Sequence, residues 1–234
     1  MPVHKRIAVA MLVTVALTQS PATVWAQADG DRQAPQVVQF LSVGGSALVY
    51  AFPSLFHINQ GPPSCAPCDL NDLPWFDRWA VRPVDRTASH VSTGVGLALA
   101  VGTWVDLAHV GGGKAVAASM EATGWAAATT ALAKAIIGRE RPVMYTDGAV
   151  QEADHINNQR SMPSGHTSTA FAMATMYVLY TKDRDNKLPA LLAGTAAVTV
   201  GVLRVVSAKH FPSDVVIGAL LGTASGFAVY HIRF

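Results

Sequence analysis

The chain has 234 residues, half of them apolar and only 14% charged, with a net charge of +2 and a mean hydropathy of +0.29. Soluble domains carry about 25% charged residues, so the shortfall points toward lipid, and the length suits one domain. With so small a net charge and no basic stripe interleaved with aromatics, the sequence excludes a nucleic-acid partner.

The chain opens on His4-Lys5-Arg6, then an apolar run from Ile7 to Leu17, then a small-residue zone that includes Ala26-Gln27-Ala28. This is the pattern of a secretory signal. Its competitor is an uncleaved anchor extending to Ala26, although about 11 apolar residues are few for a membrane span. Val37 to Phe52 reads as a first helix, containing Gly44-Gly45-Ser46 and ended by Pro53.

Phe56 to Arg86 is more polar. Cys65 and Cys68 are the only cysteines, and in an exported chain they are expected to form a local disulfide. No thioredoxin-like pattern surrounds them, and a metal site would need more ligands than are nearby. Asp72 is expected to cap a short helix with Trp75, Phe76 and Trp79 on one side, as in a helix lying on a bilayer surface.

Later helices are predicted over Ser92 to Val110, Lys114 to Ile137, Thr167 to Tyr180, Leu188 to Ala208 and, capped by Asp214, Val215 to His231. Each is about long enough to cross a ~30 Å hydrocarbon layer. No alternation of period two occurs, so the expected fold is all-α: a bundle of about six helices, membrane-embedded, with a site at one end. Ala115 to Ala135 is rich in Ala, Thr and Ser, which suits tight helix contacts. Asp106, Glu121 and Trp125 are expected to face other helices, Glu121 as a buried hydrogen-bonding group.

Three stretches carry chemistry. Lys134 to Pro142 ends an apolar segment with cations and a helix-stopping proline, and Arg139 within it reads as a cation at a pocket rim or a headgroup contact. Pro163-Ser164-Gly165-His166 is a polar turn before a helix, where N–H groups converge on an anion and a histidine can move protons. Arg204, His210 and Asp214 follow; a carboxylate beside a histidine fixes one tautomer and frees the other nitrogen to attack. His155 reads as an exposed loop residue, and His57, His90, His109 and His231 as interfacial or packing residues.

In this order, Lys-x6-Arg-Pro, Pro-Ser-Gly-His and Arg-x5-His-x3-Asp resemble the signature of the type 2 phosphatidic acid phosphatase superfamily, which includes vanadium haloperoxidases. The resemblance runs from about Ser89 to the C-terminus. One departure is Leu203, where the family usually has Ser before the arginine. The resemblance implies a metal-independent phosphatase without a cofactor, acting on a phosphomonoester or pyrophosphate of a lipid. His210 is the implied nucleophile, Asp214 its orienting carboxylate and His166 the acid and base. Lys134, Arg141, Ser164, Gly165 and Arg204 are the implied phosphate-binding groups. A soluble periplasmic acid phosphatase, a haloperoxidase and a noncatalytic phospholipid-binding scaffold are the alternatives. Residues 1–28 are then a signal peptide or N-terminal anchor, 29–88 a first helix and extracytoplasmic loop, and 89–234 the phosphatase core.

The three blocks must share one side of the membrane. The loop Lys182 to Lys187, with Lys114 and Arg233, supplies cytoplasmic cations, so the site is expected to face the periplasm or exterior from the inner membrane. With the N-terminus outside and Val37 to Phe52 crossing, the third helix would end inside, against that expectation. Either that segment does not cross, or the signal is not a signal and six helices span with the N-terminus inside.

Overall fold

The structure is a computed structural model that describes residues 36–56, 58, 63–153 and 155–234. The expectations for residues 1–28 and for His57 lie outside the described residues. The helices are α1 (Gln36–Leu55), α2 (Trp75–Arg78), α3 (Arg86–Ile137), α4 (Ala149–Glu152), α5 (Gly165–Tyr180), α6 (Leu188–Val206) and α7 (Pro212–Arg233), with 3-10 turns at Leu70–Asp72, Pro142–Tyr145 and Ile156–Gln159. Among the described residues no strand occurs, as the lack of period-two alternation predicts.

The 52-residue α3 is two antiparallel arms and not one rod. In a straight helix Trp104 and Ser119 would be about 22 Å apart at 1.5 Å per residue. Instead Trp104 Nε1 donates to Ser119 Oγ at 3.1 Å. The reversal is at Gly112, whose φ of 63° and ψ of −163° suit only a residue without Cβ. This is the break expected between Val110 and Lys114. The first arm starts at Arg86, earlier than expected, because Asp85 caps it by accepting from the Ala88 N–H at 3.0 Å. The second arm ends at Gly138, a left-handed C-cap with φ 59°.

Counting these arms separately, α1, α3, α5, α6 and α7 supply six rods. The central one is α5, packed against α3, α6 and α7. Its closest partner is α7, and the reason is a glycine every fourth residue on one α7 face. A Cβ at Gly218 would lie 2.6 Å from Ser164 O, and one at Gly226 would lie 2.7 Å from Ala172 O; at Gly222 it would overlap Ser168 O. Backbone therefore meets backbone along this seam. Gly222→Ala is expected to lower stability by about 1–3 kcal/mol, the usual cost of overpacking, read as a lower unfolding temperature in detergent.

The rods set two ends apart. At one end the Gly112 turn meets Tyr180, whose ring centre lies 4.9 Å from that of Phe234, and Lys182 stands over Tyr230. Arg233 there grips Glu121 through two hydrogen bonds of 2.7 and 2.8 Å, so Glu121 has the buried bonding role expected of it. Asp106 accepts from Tyr177 and Arg184, and Trp125 donates to Ser42 of α1 at 2.9 Å. At the other end lie the three sequence blocks. The helix α1 finishes at this second end, where Arg160 donates to Ile58 O at 3.0 Å.

Two local expectations are corrected. Pro53 does not end α1, which runs on to Leu55. Asp72 caps nothing: it lies within the 3-10 turn, whose cap is Asp69, and Pro74 stands at the α2 N-cap. Cys65 and Cys68 are joined by a disulfide, with the Cys68 N–H bonded to Met144 O at 2.8 Å.

Among the described residues, three helical segments, spanning Arg86–Tyr145, Leu188–Val206 and Pro212–Arg233, are long and apolar enough to cross a membrane. Only 22–33% of each apolar window is buried, leaving Leu97, Val101, Leu191, Val202, Leu220 and Phe227 on outer faces. Apolar faces of that extent suit lipid and not water.

Candidate active site

The segment 138–164 returns between α3 and α5 at the second end, and its path is set by hydrogen bonds from both sides. Arg141 N donates to Asn158 O at 2.7 Å, Ser161 N to Arg139 O at 2.8 Å, and Ser164 N to Asp214 O at 2.9 Å. The last of these joins the second block to the third.

The cations come from separate elements. Lys134, in the last turn of α3, donates to Arg160 O at 2.6 Å and Ser161 O at 3.2 Å, with its stem beside Gly165. Arg204, near the end of α6, is 4% exposed and donates to Ser89 and Ser92 of α3 at 3.2 Å each. These two serines were not singled out by sequence. A hydroxyl one helical turn from another, facing a buried arginine across the bundle, leaves no local pattern. They supply hydroxyls to an arginine whose preceding residue is Leu203. The Nε atoms of Arg141 and Arg204 are buried without a hydrogen-bond partner among the described residues.

Ser164 occupies the N-cap of α5 and is fully buried, but its hydroxyl makes no cap bond; it accepts from Thr167 at 2.9 Å. Gly165 begins the helix. His166 lies exposed on the next position, its Nε2 3.5 Å from Thr93 Oγ1. His155 is also exposed, as expected.

His210 is 2% exposed in the turn between α6 and α7. Burial, then the positive charges of Lys134, Arg141 and Arg204, and His166 beyond them, hold its pKa well below the ordinary histidine value. The expected hydrogen bond to Asp214 is not formed. His210 Nδ1 lies 3.7 Å from Asp214 Oδ2 and has no hydrogen-bond partner among the described residues. That oxygen is already taken, accepting from Ser161 Oγ at 2.5 Å and Phe211 N at 2.9 Å. The second of these bonds caps α7 from its third residue, so Asp214 closes the helix start from inside it.

Arg139 is not a rim cation. Its Nη1 donates to Asp214 Oδ1 and Ser213 Oγ at 2.7 Å each, its Nη2 to Asp77 Oδ2 at 2.8 Å, and its guanidinium lies 4.2 Å from the Phe211 ring centre. Two buried carboxylates, Asp77 on Nη2 and Asp214 on Nη1, therefore hold it. Asp77, fully buried, was also missed; it lies 62 residues from Arg139 in sequence.

The result is a helical bundle with Lys134, Arg141, Arg204 and His166 near His210 at one end, and the Asp214 carboxylate 3.7 Å from His210. The PAP2 superfamily matches residues 115–234, just over half of the chain, and the chain belongs to that superfamily. Over 73 residues it is 42% identical to the lipid A 1-phosphatase of Porphyromonas gingivalis, a stretch covering 31% of this chain and 16% of that relative. No solved structure matches the chain.

Proposed function

We propose that the chain is a metal-independent lipid phosphatase that works through a phosphohistidine on His210. The observation that carries the reading is the clustering of a buried imidazole, its pKa lowered by burial and by nearby positive charge, with three cations from separate elements: Lys134 of α3, Arg141 of the loop after it and Arg204 of α6. His210 Nδ1 is on the Asp214 side, so Nε2 is the attacking atom. It bonds to phosphorus as the ester P–O bond breaks. Desolvation, then the charges of Arg204, Arg141 and Lys134, lower the His166 pKa to about 4; the negative charge of the substrate phosphate offsets those cations and raises it, so that protonated His166 donates its proton to the departing alkoxide. Water then attacks phosphorus, His166 takes its proton, the N–P bond breaks and phosphate leaves. Lys134, Arg141 and Arg204, with Ser164 and the Gly165 N–H, hold the nonbridging oxygens throughout; fixed donors of this kind are commonly worth ~100-fold each in rate.

Those fixed cations supply the charge neutralisation that a metal gives in other phosphatases. Phosphate release is therefore expected to survive EDTA unchanged. A loss that magnesium or zinc restored would overturn this.

The substrate class follows from location and relationship. Apolar outer faces support a membrane position with the site at headgroup level, and the similar relative is a lipid A 1-phosphatase, which favours phosphate on an amphiphile. With α1 crossing and the pocket facing outward from the inner membrane, Gln36 falls on the cytoplasmic side together with the Lys182 to Lys187 loop. A panel of lipid phosphates assayed for phosphate release by the purified protein, alongside His210→Ala, tests the assignment. Release from none of them by the wild type would refute it.

A further inference from the structure

Resting on the phosphatase reading, we propose that Asp77 is a positioning residue for catalysis, acting on His210 through Arg139 and Asp214. It comes from the α2 turn, well outside the region that matches the superfamily. Every neighbour on that turn, Trp75, Phe76, Arg78 and Trp79, is exposed, yet Asp77 is 0% exposed. A carboxylate is buried at such a place only when donors replace its water.

Three donors do so. Asp77 Oδ2 accepts from Arg139 Nη2 at 2.8 Å and Ser213 Oγ at 2.6 Å, and Oδ1 accepts from the Ser213 N–H at 3.1 Å. Arg139 and Ser213 are the two groups that flank Asp214. The arginine holds Asp214 Oδ1, and the serine precedes Asp214 in the first turn of α7. With Asp77 fixing both, the Asp214 carboxylate cannot rotate, and Oδ2 stays on the side of Ser161, the Phe211 N–H and His210. Without that charge, Arg139 keeps only the neutral Ser213 hydroxyl beside Asp214 and is free to turn further onto Asp214, which shifts the carboxylate behind the imidazole. Lys134, Arg141 and Arg204 make no hydrogen bond to Asp77, so phosphate binding is left alone.

The test compares full-length wild type, Asp77→Asn, Ser213→Ala and the double variant in detergent or lipid discs. Steady-state kinetics on a chromogenic phosphate monoester are corrected for the folded fraction from size exclusion. Asp77→Asn is expected to lower kcat by about 10-fold to 100-fold, the cost of removing partners that orient a functional group, with KM changed less than about twofold. Ser213→Ala is expected to lower kcat less, and the double variant no more than Asp77→Asn, because the groups act as one unit. If Asp77→Asn does not fold, Ser213→Ala decides: a lower kcat at unchanged KM supports the assignment, and wild-type kcat overturns it. Unchanged kcat per folded Asp77→Asn molecule, a change confined to KM, or additive losses would also overturn it. A wild type that releases no phosphate removes both this inference and the phosphatase reading; an active wild type with an unaffected Asp77→Asn removes this inference alone.

Discussion

His210→Ala is expected to lower phosphate release by at least ~10³-fold, since removal of a nucleophile takes with it the whole covalent route. Acid-labile phosphate on the protein, trapped from wild type during turnover, should vanish in the variant. The same residue sets the acid limb of the pH profile. Its pKa is held down by burial and by Lys134, Arg141, Arg204 and His166, with Asp214 the carboxylate beside it. A lowered pKa keeps the imidazole unprotonated to lower pH. On kcat/KM, which reports the free enzyme, activity should therefore persist below about pH 6.5, where an unperturbed histidine would already be half protonated. A limb at or above that pH would contradict the cation-lined pocket.

Arg139→Met is expected to be the most destabilising single change, at about 3–5 kcal/mol, because it leaves two buried carboxylates without their shared cation. Asp77 and Asp214 are both fully buried and both bond to that guanidinium. Against a total stability of about 5–15 kcal/mol this is a large fraction. Thermal unfolding in detergent should show it as a large fall in midpoint. A midpoint close to wild type would mean that the two carboxylates find other donors.

What could be read from sequence was whatever local spacing encodes. The helices, the Gly111-Gly112-Gly113 break and the three polar blocks are all patterns within a few residues, and each has its counterpart in the bundle. The orientation of Arg139 was not readable. Arg139 and Arg141 stand two residues apart before one proline, and nothing local says which turns toward Asp214. Its second partner is in another part of the chain. The same holds for Ser89 and Ser92, which meet Arg204 only because the first arm of α3 packs on α6. The Gly218, Gly222 and Gly226 spacing went unread in the sequence, and what those glycines accommodate, the backbone of α5, belongs to the tertiary structure.

The first arm of α3 ends before residue 115, where the superfamily match begins, yet it gives Arg204 both of its hydroxyl partners. A recombinant fragment trimmed to the matched boundaries would thus keep every signature residue and lose the groups that aim one of them. The smallest unit worth expressing for enzymology starts upstream of that boundary, and upstream even of the cap at Asp85, so that it keeps the α2 turn whose Asp77 bonds Arg139.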